Sequence, residues 1–314
     1  MKKLFSSGGA DMRKKILITG GGGFAPGNII SKADKSWEIF TLDREFPGKL
    51  PEGVSLREMD LTDGKALEKA LSDHSPEVIV HTAAVSDIDV CEHNRELAKK
   101  VNVEVTARLV EYCARTNTKL IYFSTDSVFD GKKGMYTEED KPVPLNFYAE
   151  TKVYSEELIK KGLTNWVIIR PSLIVGLPVS GTGNSFLRKT LDAVAEGKEV
   201  AFPKEEIRTP LDVITLSLCV WELAGTNLTG YFHLAGNDRT SRYEMALRIA
   251  DKFNFSRNLV VPKQPDATGG RAPRPVDASL NNAKAKRTLA TPMRSLESGF
   301  DLIIENERKK GKDI

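Results

Sequence analysis

"KKILITGGGGFAPGN", residues 14–28, passes from a short apolar run into a glycine-rich turn. Gly20 and Gly23 lie where the first two glycines of a G-x-x-G-x-x-G turn belong. Gly20 can adopt the positive φ of a tight strand-to-helix turn, and Gly23 lets the backbone approach a pyrophosphate at a helix N-terminus. We therefore predict a dinucleotide-binding turn, with Phe24 and Ala25 completing the pyrophosphate contacts.

Pro26 occupies the third glycine position, and Gly27 follows it. Proline has no N–H to donate, and it biases the residue before it away from α geometry. We therefore predict that the regular helix begins late, near Pro26, and that the N–H groups of residues 23–25 face the pyrophosphate.

The first half of the chain alternates between strand and helix patterns. Several β-branched runs are apolar almost throughout, as expected for strands buried on both faces of a parallel sheet. Strand patterns occupy residues 14–19, 37–43, 54–60, 77–84, 119–125 and 166–171, and helical patterns occupy 64–74, 94–116 and 148–162. This alternation predicts an α/β fold with a doubly wound parallel sheet of the Rossmann type.

After residue 170 the patterns are mostly helical, at 185–197, 213–225, 241–253 and 294–310, with a strand candidate at 230–236 and a loop at 263–275. We predict a flexible leader at 1–12 and a dinucleotide-binding domain at 13–170. A smaller, mostly helical substrate lobe follows at 171–314. Segments of that lobe, at about 208–236, are expected to return to the first domain.

Composition excludes several classes of protein. The net charge is +3 over 314 residues, and no basic stripe with interleaved aromatics indicates nucleic-acid binding. No apolar run reaches the ~18 residues of a membrane span. The cysteines, Cys91, Cys113 and Cys219, lie far apart, so we expect buried free thiols and no metal site. The expected location is the cytoplasm.

Asp43 ends the second strand pattern, Arg44 follows it, and both residues bear on the choice of cofactor. An acid twenty residues after Gly23 is placed to hydrogen-bond the adenosine ribose hydroxyls, which favours NADH. Arg44 is placed to bind a 2′-phosphate, which favours NADPH. Both cofactors stay open.

Asp60 and Leu61 lie at the end of the third strand pattern, and Ala83 and Ala84 end the fourth. Asp60 and Leu61 are candidates for the adenine pocket, although a capping acid and a core leucine would give the same pattern. Small side chains at Ala83 and Ala84 would leave room for the cofactor, or would allow close packing of a helix on the sheet.

"YAETK" places Tyr148 and Lys152 four residues apart, on one face of a predicted helix. An adjacent ammonium favours the phenolate, so we expect the pKa of Tyr148 to be lowered towards neutral pH. Thr125, in "STDSVFDG", ends the fifth strand pattern, and ligands bind at the carboxyl ends of strands in such sheets. We predict that Thr125 orients a substrate carbonyl that Tyr148 protonates.

"TGGGGF", "HTAA", "STDSVFDG", "YAETK" and "IRPSLIVG" stand in the order typical of extended short-chain dehydrogenase/reductases. "STDSVFDGKKGMYTEEDKPVPLNFYAETK" and "RAPRPVDASLNNAKAKRTL" resemble the dTDP-4-dehydrorhamnose reductases within them. The resemblance implies reduction of the C4 ketone of a nucleotide-linked 6-deoxy-4-keto sugar. It makes Tyr148 the general acid and Thr125 the group that orients the ketone.

The resemblance also implies that Lys152 lowers the pKa of Tyr148 and holds the nicotinamide ribose. Asn102 would support Lys152 and a water relay. In this superfamily the helix at residues 91–116 and the helix carrying Tyr148 often pair across a dimer, although monomers occur, so a homodimer is one expected state.

Three residues are expected near the sugar nucleotide: Ser127, Asn184 and Arg208. Ser127 stands where these reductases have tyrosine, which puts the identity of the sugar in doubt. Arg208, in "EEIRTPLDV", is the candidate phosphate ligand, although the usual Gln-x-Gly pattern is missing there.

Other functions stay open. Sugar-nucleotide dehydratases carry glutamate at the position of Ser127, and epimerases usually have serine at the position of Thr125, so both fit less well than a reductase. Another nucleotide-sugar epimerase or reductase is one alternative. The other is a regulatory role, because a relative of these reductases binds NADP as the regulatory subunit of methionine adenosyltransferase and contributes no essential chemistry.

Overall fold

The computed structural model describes residues 13–46, 48, 50–179, 185–263 and 271–311, so the predicted leader at 1–12 lies outside the described residues. The strands are β1 (Lys14–Thr19), β2 (Trp37–Asp43), β3 (Val54–Glu58), β4 (Val78–His81), β5 (Lys119–Phe123), β6 (Trp166–Pro171), β7 (Ile174–Val175), β8 (Val200–Phe202), β9 (Ile207–Arg208), β10 (Leu211–Asp212), β11 (Gly230–Leu234), β12 (Thr240–Ser241) and β13 (Val260–Pro262).

The helices mostly follow the predicted pattern, although two of them, at residues 88–93 and 283–288, were not among the predicted helical patterns. They are α1 (Phe24–Ser31), α2 (Gly64–His74), α3 (Ile88–His93), α4 (Arg95–Lys99), α5 (Val105–Thr116), α6 (Phe147–Gly162), α7 (Phe186–Ala195), α8 (Val213–Gly225), α9 (Arg242–Lys252), α10 (Ala283–Thr288) and α11 (Leu296–Lys309).

Within the described residues, the central sheet has seven parallel strands in the order β11-β6-β5-β4-β1-β2-β3. The strand order reverses between β1 and β4, which opens a crevice at their carboxyl ends. This arrangement confirms the doubly wound sheet. β3, β4 and β5 end before their predicted limits, so Asp60, Ala83 and Thr125 lie in the loops at that edge.

Successive side chains of the strands pack on opposite faces of the sheet. Ile16 and Ile18 join a buried cluster with residues of α1, α8 and α10, whereas Leu17 joins one with residues of α2, α5 and α6. Helices therefore cover both faces, which explains why the strands read as continuous apolar runs.

The C-terminal part of the chain is not wholly separate from this sheet. β11 pairs with β6, and the Trp221 indole N–H of α8 donates to the Ile29 carbonyl of α1 at 2.7 Å. The remaining lobe contains short strand pairs, β10 with β7, β12 with β9, and β13 with β8, which the sequence pattern did not reveal. The domain boundary near residue 170 stays a prediction.

A buried ion pair ties β6 to α6. The guanidinium of Arg170 donates from Nε to Glu156 Oε1 at 2.9 Å and from Nη2 to Oε2 at 2.5 Å. The Ser124 hydroxyl donates to the same carboxylate at 2.5 Å. Both charged side chains are almost fully buried, so removal of either would leave an uncompensated charge in the core.

The cysteine prediction is confirmed, since Cys91, Cys113 and Cys219 are buried and free. Burial raises the pKa of Cys91 to about 11 and that of Cys113 to about 12. They are therefore apolar packing groups at neutral pH.

Candidate functional site

The glycine turn lies against the end of β4. Gly20 has φ +74°, and its N–H donates to the Leu42 carbonyl at 2.7 Å. A Cβ atom on Gly20 would lie 3.2 Å from the Cα atom of Ala83. The Gly23 N–H donates back to the Gly20 carbonyl at 2.9 Å. The turn is thus tight, and it borders the crevice where the strand order reverses.

The prediction that the helix begins near Pro26 is wrong. α1 begins at Phe24, with Gly23 as its extended N-cap residue at φ −71° and ψ 166°. The first intrahelical bond runs from the Gly27 N–H to the Gly23 carbonyl at 3.0 Å. Pro26 is the third helical residue, where an N–H would have no intrahelical acceptor, so its ring removes no hydrogen bond. Phe24 and Ala25, both half-buried, form the first half-turn.

Asp43 binds the glycine turn directly. Its carboxylate accepts from the Gly22 N–H at 2.8 Å and from the Arg44 N–H at 2.7 Å. Gly22 was not among the predicted site residues, although the parallel pairing of β1 with β2 is what brings the turn and Asp43 together. The Arg44 side chain is exposed beside it. Candidate ribose and 2′-phosphate ligands therefore lie side by side.

The predicted adenine-pocket residues take different places. Asp60 is exposed, and its carboxylate accepts from the Thr62 N–H at 2.8 Å, a bond that lowers its pKa. Leu61 is buried in the core cluster of α2 and α5. Ala83 and Ala84 are half-buried after β4. Asp60 therefore has the contacts of a turn residue, and Leu61 has those of a core residue.

The structure brings Thr125, Tyr148 and Lys152 together, all buried, at the carboxyl end of β5. Thr125 is the N-cap of a short 3₁₀ turn at residues 126–128. Tyr148 lies in the first turn of α6, where the Asn146 side chain caps the helix by accepting from the Ala149 N–H at 2.9 Å. The helix start thus sets the position of the phenol.

Lys152 lies one turn after Tyr148 and is anchored to the sheet. Its ammonium donates to the Phe123 carbonyl at 2.8 Å and lies 5.9 Å from the centre of the Tyr148 ring. It also lies 4.7 Å from the centre of the Tyr122 ring. Burial lowers the pKa of Lys152 to about 8, although the Glu156 carboxylate opposes that shift.

The pKa of Tyr148 is raised, which is the opposite of the sequence-based expectation. Burial is the largest cause, and the Asp126 and Cys91 side chains raise it further, while a hydrogen bond with the Thr125 hydroxyl lowers it in part. The Lys152 ammonium is bound to a backbone carbonyl, and desolvation of the phenolate dominates. A phenol in these surroundings keeps its proton at neutral pH.

Asn102 lies in a π-helical turn, Lys100–Glu104, that joins α4 to α5. The continuous helix predicted for residues 94–116 therefore carries a wide turn, a feature frequent at functional sites. Asn102 Oδ1 accepts from the Val85 N–H at 2.8 Å, and its Nδ2 donates to Thr151 Oγ1 at 3.1 Å. Asn102 thus connects the loop after β4 to the residue beside Lys152.

Asp126 joins two of the predicted substrate residues. Its carboxylate lies 3.3 Å from the Arg208 guanidinium and accepts from the Ser127 hydroxyl at 3.2 Å. Burial raises the pKa of Asp126, and the Arg208 charge opposes that shift. Arg208 also donates to the Pro275 carbonyl at 3.2 Å, so this candidate phosphate ligand is held by other groups of the chain. Asn184 lies outside the described residues.

Residues 271–275, in the predicted loop, cross the start of α6. The Arg274 guanidinium binds both carboxylate oxygens of Asp89, at 2.8 and 2.6 Å, and the pKa of Asp89 falls to about 2. The Asn146 side chain donates to the Pro273 carbonyl at 2.8 Å. Sequence reasoning missed these contacts, because the partners are separated by more than a hundred residues.

A metal site and a membrane-spanning helix have no support among the described residues. In that part of the chain, no group of His, Cys, Asp and Glu side chains is arranged to hold a metal ion. None of the described helices is long and apolar enough to cross a membrane.

Known proteins resemble the chain over most of its length. Methionine adenosyltransferase 2 subunit beta of Mus musculus is 31% identical over 277 residues, which are 86% of this chain and 81% of that protein. The crystal structure of a hypothetical dTDP-4-dehydrorhamnose reductase from Sulfolobus tokodaii superposes with a TM-score of 0.77 at 32% identity, covering 90% of this chain and 98% of that one.

A dTDP-4-dehydrorhamnose reductase from Bacillus anthracis, solved in complex with NADP, shares the fold with a TM-score of 0.83. It is 24% identical and covers 94% of this chain and 100% of that one. The family model described as the RmlD substrate binding domain matches residues 13–309. The resemblance found in the sequence is thereby confirmed, and the chain belongs to the RmlD substrate-binding domain family of extended short-chain dehydrogenase/reductases.

Proposed function

We propose that this protein uses NADH or NADPH to reduce the C4 ketone of a nucleotide-linked 6-deoxy-4-keto sugar. The observation that carries the proposal is the burial of Thr125, Tyr148 and Lys152 together at the carboxyl end of β5. That edge of an open α/β sheet is where ligands bind, and the trio supplies a proton donor, an orienting hydroxyl and a cation.

The fit of a dinucleotide is supported by the glycine turn. Gly20 and Gly23 bring the backbone to the crevice without side chains, and the N-terminus of α1 points its free N–H groups there. Asp43 and Arg44 would hold the adenosine end, and Ala83 and Ala84 would flank the cofactor. When bound, the reduced nicotinamide supplies the hydride for C4 of the sugar.

Tyr148 would supply the proton. A phenol whose pKa is raised by burial holds its proton at neutral pH and can pass it to the ketone oxygen as that oxygen becomes negative. Thr125 Oγ1 accepts from the Ser127 N–H at 3.1 Å, which orients the hydroxyl at the same end of β5. Lys152, anchored on Phe123, places a positive charge near the resulting phenolate.

Turnover tests this directly. The full chain is incubated with NADH or NADPH and the dTDP-linked 4-keto-6-deoxy-L-sugar, and nicotinamide absorbance is followed. We expect oxidation of the cofactor, and a Tyr148→Phe variant that is slower by about 10²–10⁴-fold while still binding the cofactor. Tyr154→Phe is the matched control, since Tyr154 lies on the same helix with 59% of its surface exposed. No oxidation with either cofactor, or an unimpaired Tyr148→Phe variant, would refute the proposal.

A second candidate is a regulatory subunit that binds NADP, favoured by the 31% identity to methionine adenosyltransferase 2 subunit beta. The test is S-adenosylmethionine synthesis by a methionine adenosyltransferase catalytic subunit from the same source, with and without this chain. A change in the rate of synthesis that persists with the Tyr148→Phe variant would support regulation. A change that is lost with that variant would not support it.

The predicted homodimer and cytoplasmic location remain proposals. Sedimentation of the full chain distinguishes dimer from monomer, and imaging of the tagged chain in its source cell tests the location.

A further inference from the structure

His81, the last residue of β4, is buried between a strand and a helix. Its ring has 1% of its surface exposed. Nδ1 lies 2.8 Å from Thr19 Oγ1 at the end of β1, and Nε2 lies 3.2 Å from Thr106 Oγ1 on α5. The ring therefore joins the strand that leads into the glycine turn to a helix on one face of the sheet.

The neighbours of each hydroxyl determine where the proton of His81 lies. Thr19 Oγ1 accepts from the Thr82 N–H at 3.1 Å and the Ala83 N–H at 3.2 Å. Its own proton is then left to donate to His81 Nδ1. The Thr106 hydroxyl donates to the Asn102 carbonyl at 2.7 Å, so its oxygen accepts from His81 Nε2–H. Only a neutral ring protonated at Nε2 satisfies every donor and acceptor.

The groups around the ring favour the neutral form. Burial and the charge of Lys152 lower the pKa of His81 to about 3. The Tyr122 ring lies 5.8 Å away, and its hydroxyl is protonated at neutral pH because burial raises its pKa. No carboxylate is among the groups that shift the pKa of His81.

The chain of hydrogen bonds begins and ends at the two parts of the proposed site. One end is the pair of backbone amides of Thr82 and Ala83, beside the glycine turn. The other is the Asn102 carbonyl, which also accepts from the Ser155 hydroxyl of α6 at 2.9 Å. Ser155 lies one turn after Thr151, the residue that the Asn102 side chain holds. The proposed dinucleotide edge and the helix carrying Tyr148 are thus linked through one imidazole.

We propose that His81 is a positioning residue that, as a neutral Nε2–H imidazole between Thr19 and Thr106, fixes the end of β4 relative to α6. In this position it sets the distance between the dinucleotide edge and the Tyr148 hydroxyl. The effect on turnover rests on the proposed function, whereas the proton position and the link to Ala83 do not.

The proton position is measured by NMR of the full chain with ¹⁵N-labelled histidine. His233 is the internal control, because its Nδ1 lies 3.0 Å from the Tyr136 carbonyl, which can only accept, and its ring must be protonated at Nδ1. We expect the ¹⁵N signals of a neutral Nε2–H ring, and these signals should not change between about pH 5 and 8. They should be absent from the spectrum of His81→Gln. A neutral Nδ1–H ring at His81, or its protonation in that range, would overturn the proposal.

The positioning role is tested by substituting a residue that hydrogen-bonds to His81, so that the imidazole itself is retained. Thr106→Val removes the hydroxyl at nearly constant shape, and Thr106→Ser keeps it. We expect Thr106→Val to shift the amide signal of Ala83, to which Thr106 is linked through the ring, and to lower kcat about tenfold with the KM for the sugar unchanged. Thr106→Ser should have the Ala83 amide signal and the kcat of the unaltered protein.

The outcomes separate the two proposals. If the unaltered protein turns over and Thr106→Val leaves kcat and the Ala83 signal unchanged, the positioning role is wrong and the proposed function stands. If the unaltered protein shows no turnover, the proposed function fails, and the Ala83 signal alone decides the link through His81. A loss of signal dispersion in Thr106→Val would indicate unfolding, in which case Thr19→Val and Thr19→Ser provide the same comparison from the other side of the ring.

Discussion

A lysine is buried at each end of β5, in very different surroundings. At the amino edge, the Lys119 ammonium donates to the carbonyls of Leu223 and Thr226, both at 2.7 Å. At the carboxyl edge, the Lys152 ammonium donates to the carbonyl of Phe123 at 2.8 Å. Burial lowers the pKa of each lysine to about 8.

A shifted pKa therefore does not by itself identify the functional lysine. Lys119 closes the C-terminal end of α8, where a cation satisfies free carbonyls and interacts favourably with the helix dipole. Lys152 lies beside Tyr148 and Thr125, so a proton donor, a hydroxyl and a cation converge there. The neighbouring groups, and not the pKa shift, make Lys152 the candidate for the proposed chemistry.

The largest expected effect separates the two lysines by activity. Lys152→Met should lower reductase turnover by about 10²–10⁴-fold, because the Tyr148 phenolate would form without a nearby cation. Lys119→Met should leave turnover within about threefold of the unaltered protein, since Lys119 is distant from the proposed chemistry. Both are measured by nicotinamide absorbance at saturating substrate. Equal losses in the two variants would show that the carboxyl edge has no special role.

The next effect concerns pH and stability. Burial lowers the pKa of both folded lysines to about 8, whereas an ordinary lysine has a pKa of about 10.4, so below pH 8 each folded lysine keeps a charge whose burial is unfavourable. Between pH 8 and 10 the unfolded chain binds more protons at these two lysines, so their contribution to the free energy of unfolding should rise with pH, while the buried thiols of Cys91 and Cys113, whose pKa values are raised, contribute in the opposite direction. For Lys152 the full effect is on the order of 3 kcal/mol.

Urea unfolding at several pH values measures this rise. Lys119→Met and Lys152→Met should each reduce it, and the double variant should reduce it further. Above pH 10 the trend should reverse, because the buried phenols of Tyr122 and Tyr148 have raised pKa values and lose protons more easily when unfolded. If both single lysine variants kept the pH dependence of the unaltered protein between pH 8 and 10, the burial of charged lysines would be contradicted.

A smaller effect compares glycines at the two edges of the sheet. Gly20, at the carboxyl end of β1, has φ +74°, and Gly53, at the amino end of β3, has φ +83°. A Cβ atom on Gly53 would meet open space, whereas one on Gly20 would press on Ala83. Alanine should cost about 1–2 kcal/mol of stability at either position through backbone strain.

Only Gly20→Ala should also weaken cofactor binding, by about tenfold, because it moves the turn away from the crevice. Titration of NADPH fluorescence measures this, with Gly53→Ala as the control. Equal cofactor affinities in the two variants would place the dinucleotide elsewhere.

The smallest effect is expected at Pro26. Pro26→Ala should lower stability by only about 0.4–1 kcal/mol, because the proline ring restricts the unfolded chain and removes no native hydrogen bond. Thermal unfolding measures the change. A clear gain in stability would mean instead that the ring strains the start of α1.

Much of the fold could be predicted from local sequence patterns. The apolar runs predicted β1 to β6 and β11, and the i, i+4 spacing of Tyr148 and Lys152 placed both on one helix face. The glycine turn, Asp43 and Thr125 were predicted because motifs at strand ends have a known position in a parallel sheet. Each of these inferences depends on periodicity or on a spacing of about twenty residues.

The remaining features depend on residues that are distant in sequence. The late helix start was inferred from the preference of the residue before proline, but Pro26 lies where no N–H is needed. The π turn at Asn102 leaves its carbonyl to accept from Ser155, a residue of another helix. The lowered pKa expected for Tyr148 neglected burial, which can be assessed only once α6 is packed on the sheet.

The succession of strands and helices along the chain, the helix faces and the candidate reacting groups follow from the sequence, since backbone preferences and the period of apolar residues act locally. The pKa shifts of Tyr148 and Lys152, the pairing of Asp126 with Arg208 and the hydrogen bonds of His81 depend on the packed structure. Desolvation and hydrogen-bond geometry depend on which distant groups meet, as when Asp89 meets Arg274 across 185 residues.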